Sequence, residues 1–273
     1  MAKKIVQKKT PATYILRYGV IAYLFFLVGW PVFLVGQKTF ANGFESLHHA
    51  LTDPYVAFSL QLTFAVAIQV VIINTIFGIG ISLLLTRFTF PGKRILSSLL
   101  DLPLSVSPIV VGLALILVYG SRNSWLSPIL EDQGWKIIYT PTAIVLATAF
   151  VTLPLVIREV VPVLQELGTD EVLAAKSLGA NSVQTFLRIT LPTIKWAVIY
   201  GVVLTLARSL GEFGAVKVVS GNLEGITQTA TLIVEQRYQN FEQGTAYATA
   251  FLLASVSVAC IIVVSFLRKD NHK

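Results

Sequence analysis

Six apolar stretches constrain this chain more than anything else in it. Crossing about 30 Å of hydrocarbon takes roughly 20 helical residues. Tyr14 to Val35, Phe58 to Leu85, Leu99 to Tyr119, Thr140 to Val161, Ile194 to Val216 and Tyr247 to Phe266 all meet that length. Of the 273 residues, 55% are hydrophobic and only 13% charged, against about 25% charged in a globular domain. So few charges cannot cover the surface of a soluble fold. The same composition excludes intrinsic disorder, and the single cysteine, Cys260, excludes a disulfide-stapled module. The expected class is all-α: a polytopic membrane protein of about six transmembrane helices.

The net charge of +7 fits either nucleic acid or membrane topology, and position decides. Lys and Arg gather at the ends of the apolar runs, not in one stripe with interleaved aromatics. Fifteen fall on one side (Lys3, Lys4, Lys8, Lys9 and Arg17; Arg87, Lys93 and Arg94; Arg158, Lys176, Arg188 and Lys195; Arg268, Lys269 and Lys273). Five fall on the other (Lys38, Arg122, Lys136, Lys217 and Arg237), and Arg208 lies within a span. That bias predicts cytoplasmic termini and argues for a lipid partner and no nucleic acid, while the apolar stretch of roughly 20 residues behind the basic start, with no clear small-residue cleavage site, is expected to be an uncleaved first helix. The expected division is a tail over 1–13, a membrane domain over 14–267 with a connection at 165–193, and a tail over 268–273.

Span two is longer than the bilayer requires. Pro103 and Pro108 interrupt span three, and Pro154 interrupts span four. Proline inside a membrane helix is tolerated where neighbours satisfy the freed carbonyl, so these helices are expected against protein or a pore. On the outer side, the loop Gln37 to Ala57 carries Asn42-Gly43, Asp53-Pro54 and the pair His48, His49. Ser121 to Tyr139 is turn-rich, and Ser220 to Gly244, with Glu235, Arg237 and Glu242, is expected to be partly helical.

The longest inner connection is Pro162 to Thr193. Leu173, Ala174, Ala175 and Leu178 recur near a 3.6 period behind Thr169, Asp170 and Glu171, which suit a cap and an acidic first turn. Gly179 ends this short helix, Val183 to Ile189 resumes a helical pattern, and Leu191-Pro192 is expected to end it. Two short helices about a glycine make a compact knob. With small side chains and no aromatic on the first helix, it fits a protein groove slightly better than a lipid surface.

The run from Leu173 through Gly179, followed by Ile189-Thr190-Leu191-Pro192, resembles the Glu-Ala-Ala loop of the membrane subunits of bacterial ATP-binding-cassette importers. Leu173 stands where that family has glutamate. The resemblance implies a type I importer transmembrane fold in the bacterial inner membrane. It also implies a cytoplasmic coupling loop that docks on an ATPase through Glu171, Leu173, Ala174, Ala175, Leu178, Gly179, Ile189, Leu191 and Pro192. A second homologous permease subunit, two copies of the ATPase and a periplasmic binding protein are the implied partners, with ATP and Mg held by the ATPase.

Arg208 and Glu212 fall inside span five, where an ionised side chain costs roughly 2.5 to 3.5 kcal/mol. Their spacing of four places them on one helix face, so they can pair. A self-contained structural pair and a pore-lining pair are equally compatible with that spacing. Ala207 to Ala215, and Leu102 to Leu113 in span three, resemble motifs of the subfamily that carries sulfate, thiosulfate, molybdate and tungstate. The Ser107-Pro108 pair is most similar to the W-type sulfate/thiosulfate subunits, and the resemblance implies a sulfate- or thiosulfate-binding protein as the external partner. Ser105, Ser107, Pro108, Thr205, Arg208, Ser209, Gly211 and Glu212 are the candidate translocation residues. A dianion needs donors and positive potential without tight binding, although serine and threonine in membrane helices commonly bond their own carbonyls. Asp101 is expected to cap its helix or to pair with Lys93 or Arg94.

No phosphate loop precedes Gly92-Lys93, and neither His-Glu-x-x-His nor Gly-x-Ser-x-Gly occurs. The chain is therefore not expected to be an enzyme, to hold a cofactor or to bind a metal. His48-His49 lacks companion ligands, and Cys260 reads as a small apolar residue. Two rivals remain at this point: the same machine for molybdate or tungstate, and a stand-alone channel or secondary transporter.

Overall fold

The computed structural model describes residues 11–269 except 42, 121–123, 127, 128, 130 and 131. Most of the expected N-terminal tail, the last four residues and part of the connection 121–139 therefore lie outside the described residues. Every described element is a helix or turn. In chain order these are α1 (Pro11–Leu24), a π turn (Phe25–Gly29), α2 (Trp30–Thr39), α3 (Glu45–Thr52), α4 (Pro54–Arg87), α5 (Lys93–Ser105) and α6 (Pro108–Tyr119). There follow α7 (Pro141–Leu167), α8 (Asp170–Ser177), α9 (Ser182–Thr185), a second π turn (Phe186–Thr190), α10 (Leu191–Leu210), α11 (Gly214–Ser220), α12 (Ala230–Gln239) and α13 (Gln243–Lys269).

Five stretches are long and apolar enough to cross a membrane: 13–39, 54–87, 141–167, 182–210 and 243–260. The sixth expected span is α5 and α6, which meet at a 116° bend. Of its two prolines only Pro108 breaks the helix. Pro103 stays buried inside α5, whereas Ser107, forced toward extended backbone by the ring that follows it, sits at φ −59° and ψ 136°. Span four is not interrupted at all, because α7 runs through both Pro154 and Pro162. Span five ends earlier than expected: α10 stops at Leu210, and Gly211 to Phe213 separate it from α11.

The core is the packing of α4, α7 and α10. Gly78 of α4 and Gly201 of α10 both approach Val156 of α7. A Cβ on Gly78 would lie 2.7 Å from Val156 Cγ1, and one on Gly201 would lie 2.9 Å from Val156 Cα. Small residues of this kind let helices approach where lipid offers no hydrophobic drive. Val156, Val160, Leu164 and Ile194 fill the space toward the end that carries Arg87. One turn beyond Gly78, buried Asn74 donates through Nδ2 to Ala149 O (3.0 Å) and Thr152 Oγ1 (2.8 Å), cross-linking α4 to α7.

The first long helix is different. Its large apolar side chains from Ile15 to Phe33 are exposed, and α2 meets the bundle where the Phe40 and Phe251 rings pack edge to face, 5.4 Å apart. At the same end, Asp53 caps α4 by accepting from Tyr55 N and Val56 N (2.8 and 3.4 Å), and its Oδ2 pairs with Arg237 (2.6 Å). Arg237 also holds Glu242 (2.7 Å), so one guanidinium ties α4, α12 and the start of α13. The connection after α11 is partly helical as expected, through α12, and the first connection also contains a helix, α3.

Three substitutions test this packing. Gly201→Ala places a methyl against backbone that cannot retreat and is expected to destabilise by about 1–3 kcal/mol, whereas Gly80→Ala, with open space around it, leaves stability equal or higher. Asn74→Ala removes both cross-helix bonds and is expected to lower stability by about 1–3 kcal/mol. Thermal unfolding of the detergent-purified protein reads all three.

Candidate transport site and docking knob

The knob begins at Gly168, whose carbonyl accepts from Arg87 Nη1 and so fastens the end of α7 to the end of α4. Thr169 is the N-cap residue of α8 through its backbone, which accepts from Leu173 N (2.9 Å). Its side chain makes no capping bond, contrary to expectation. Asp170 and Glu171 occupy the first turn, as the sequence implied. At the other end, Gly179 N bonds Lys176 O and Ala180 N bonds Ala175 O, both at 3.0 Å. This pairing closes a helix when the residue between adopts the left-handed region, and Gly179 has φ +86°. No atom lies within 4 Å of a Cβ built there, so backbone conformation, not space, requires the glycine.

Asn181 then starts the next helix with a reciprocal cap. Its side chain accepts from Gln184 N (2.8 Å) while its own N–H donates to Gln184 Oε1 (3.1 Å). The Asn-x-x-Gln spacing was readable in the sequence as a helix start. Leu191-Pro192 does not end this helix, which runs for 29 residues from Ser182 to Leu210. Leu191 N reaches five residues back to Phe186 O, and the π turn absorbs the missing proline N–H without a break. The second half of the expected knob is thus the foot of a long helix. Ala175 is buried and Ile189 and Leu191 are half-buried, while Glu171, Leu173, Ala174, Gly179 and Pro192 are exposed. Leu178 is 89% exposed, and Val183 and Leu187 also stand clear. Four large aliphatic side chains therefore face away from the bundle.

The second candidate region forms where the two helix breaks meet. A Cβ on Gly214 would lie 3.1 Å from Pro108 Cβ, and one on Gly112 would lie 2.9 Å from Ala215 O. The two motifs that resemble the oxyanion subfamily, about a hundred residues apart in sequence, are thus packed on each other through α6 and α11. Glu212 lies past the end of α10, yet Arg208 Nη1 reaches its Oε2 at 2.7 Å. The expected pair forms across a helix terminus, not along one helix face. Glu212 Oε1 accepts from Ala215 N (3.0 Å), and its backbone oxygen accepts from Thr231 Oγ1 (2.8 Å). Nothing in the sequence pattern links Thr231 to Glu212.

The other candidates divide. Ser105 and Ser107 are exposed at the bend, and Ser105 Oγ donates back to Asp101 O at 3.4 Å. Thr205 and Ser209 are buried in α10. Gly211 borders a cavity of about 420 Å³ shared with Phe213, Thr231, Leu253 and Ser257. Asp101 pairs with Arg158 of α7 (2.9 Å) instead of Lys93 or Arg94. The bend carries it toward α7, and Lys93 bonds Phe88 O (3.2 Å). His48 and His49 are exposed on α3, and no group of three metal-ligating side chains occurs among the described residues.

The chain matches the family model described as the binding-protein-dependent transport system inner membrane component over residues 75–271. It is 44% identical to the sulfate transport system permease protein CysW of Synechococcus elongatus, covering 90% of this chain and 86% of that protein. It is 39% identical to CysW of Escherichia coli K12 (95% and 89% covered), and 36% identical to the sulfate transport system permease protein CysT of Salmonella typhimurium (80% and 78%). Its fold matches a crystal structure of a bacterial ABC transporter that imports the acidic polysaccharide alginate, with TM-score 0.77 at 13% identity over 95% of this chain and 96% of that one. This multi-pass membrane chain belongs to the family of inner-membrane components of binding-protein-dependent transport systems.

Proposed function

We propose that the chain is the membrane-spanning permease subunit of an ATP-driven importer of sulfate or thiosulfate. The observation that carries this reading is whole-chain identity of 39 to 44% to sulfate permease proteins of the W type, together with the packed pair of oxyanion-type motifs at Pro108 and Gly214. It works beside a second, T-type permease subunit, two cytoplasmic ATPases that hold ATP and Mg, and a periplasmic sulfate-binding protein. Both termini are cytoplasmic, which puts the knob on the side of the ATPases.

The mechanism follows from what the knob is. ATP draws the two ATPases together, and a knob seated on one of them moves with it. Residues 182–210 form one continuous helix, so displacement of its foot is carried into the membrane toward Arg208 without a joint to absorb it. The anion is then admitted from the binding protein and released inward after hydrolysis.

Uptake of labelled sulfate and labelled molybdate by cells lacking the gene, with and without this chain restored, tests the substrate. Restored sulfate uptake supports the reading, while restoration of molybdate uptake alone overturns it in favour of a molybdate or tungstate permease. Leu178→Glu tests the partner: its side chain is already exposed, so membrane abundance stays unchanged while ATPase co-purification and uptake fall at least about tenfold, as expected when a charge is buried unpaired in an interface. Normal uptake by both Leu178→Glu and Gly179→Asp, in a chain that never co-purifies with an ATPase, points instead to a channel or secondary transporter.

A further inference from the structure

The Arg208–Glu212 pair is asymmetric. The Arg208 side chain is 40% exposed and that of Glu212 is 1% exposed. Each Glu212 attachment holds it inward: Oε1 to Ala215 N, the backbone oxygen to Thr231, and Oε2 to the guanidinium. Its backbone N–H donates to Ser209 O (3.3 Å), closing the end of α10. The carboxylate is thus bolted into the break between α10 and α11, and only the arginine can reach a solute. A guanidinium has five N–H donors in a fixed fork, and Oε2 engages one nitrogen from the buried side.

We propose that Glu212 is a positioning residue that aims Arg208 at the passing oxyanion and offsets part of its charge, so that the anion is met but not kept. The inference rests on the oxyanion-import reading above. A lone arginine in a low-dielectric path would hold a dianion strongly. With a fixed carboxylate 2.7 Å from Nη1, the pair presents the anion with a dipole and not a full positive charge. Weak, brief engagement is what conduction requires. The same arrangement answers the cost of an ionised group in the membrane, because the chain inserts a net-neutral pair.

The test uses the complete transporter, with its partner permease, ATPase and binding protein, in proteoliposomes. Two readouts are taken with labelled sulfate and, in parallel, labelled molybdate: the rate of ATP-driven uptake, and the label retained by the complex after vanadate trapping and rapid washing. Arg208→Gln is expected to cut uptake about tenfold or more, the scale of one lost charged hydrogen bond, and to abolish retained label. Glu212→Gln is expected to cut uptake while raising retained label several-fold, a divergence that a purely structural role would not produce. Should Glu212→Gln fail to assemble, the double variant Arg208→Gln/Glu212→Gln carries no unpaired charge. It is expected to assemble and to transport as poorly as Arg208→Gln alone. Normal uptake by the double variant, or a parallel fall of uptake and retention in Glu212→Gln, overturns the proposal. The two labels keep the failures apart: the same divergence with molybdate in place of sulfate retains the role of the pair and rejects only the substrate.

Discussion

In a hydrocarbon solvent every broken helix leaves backbone groups that only the protein can satisfy, and this rule governs where the chain may bend. Each break inside the bundle is sealed by its surroundings. The gap between α10 and α11 is closed by Glu212, whose main chain and side chain together engage Ser209, Ala215, Thr231 and Arg208. The bend between α5 and α6 is placed where Pro108 removes an N–H, and it is backed by Gly214. Pro192, by contrast, is taken up by a π turn, so its helix stays whole. The molecule is interrupted beside the candidate translocation residues and continuous from the knob to Leu210.

The same rule explains the tight spine. With no water to expel between helices, α4, α7 and α10 hold together by close approach at Gly78, Val156 and Gly201 and by the Asn74 bonds to α7. That spine joins the two functional regions. Its basic end is fastened to the knob by Arg87 and Gly168, and its other end carries Arg208. The knob itself obeys ordinary aqueous rules, with an acidic first turn, a left-handed glycine closure and a reciprocal Asn-Gln cap. Its apolar side chains are exposed, as the docking role proposed for the knob requires.

Much of this was legible in the residues. The apolar runs located the membrane helices, the acidic start and Gly179 bounded α8, and the spacing of Arg208 and Glu212 forecast their pairing. Where the reading failed, the reason was tertiary. Pro103, Pro108, Pro154 and Pro192 look alike as residues, yet only Pro108 coincides with a sharp break; the others stay within continuous helix, Pro192 beside a π turn. Asp101 had basic neighbours in sequence but finds Arg158, because the bend swings α5 onto α7. Thr205 and Ser209 have the chemistry of anion donors but are turned into the bundle.

The sequence alone determined that the chain is a helical membrane protein, that its charges gather at the ends of its apolar runs, and that a polar helix with a glycine stop lies in the connection 162–193. These are properties of composition and period, which survive without knowledge of what packs on what. Only the tertiary structure decided that the two oxyanion-type motifs touch, that Glu212 is buried while Arg208 is open, and that one unbroken helix joins the knob to that pair. Contacts between residues far apart in the chain depend on the crossing of helices and on which small residues let them approach, and no local pattern encodes that.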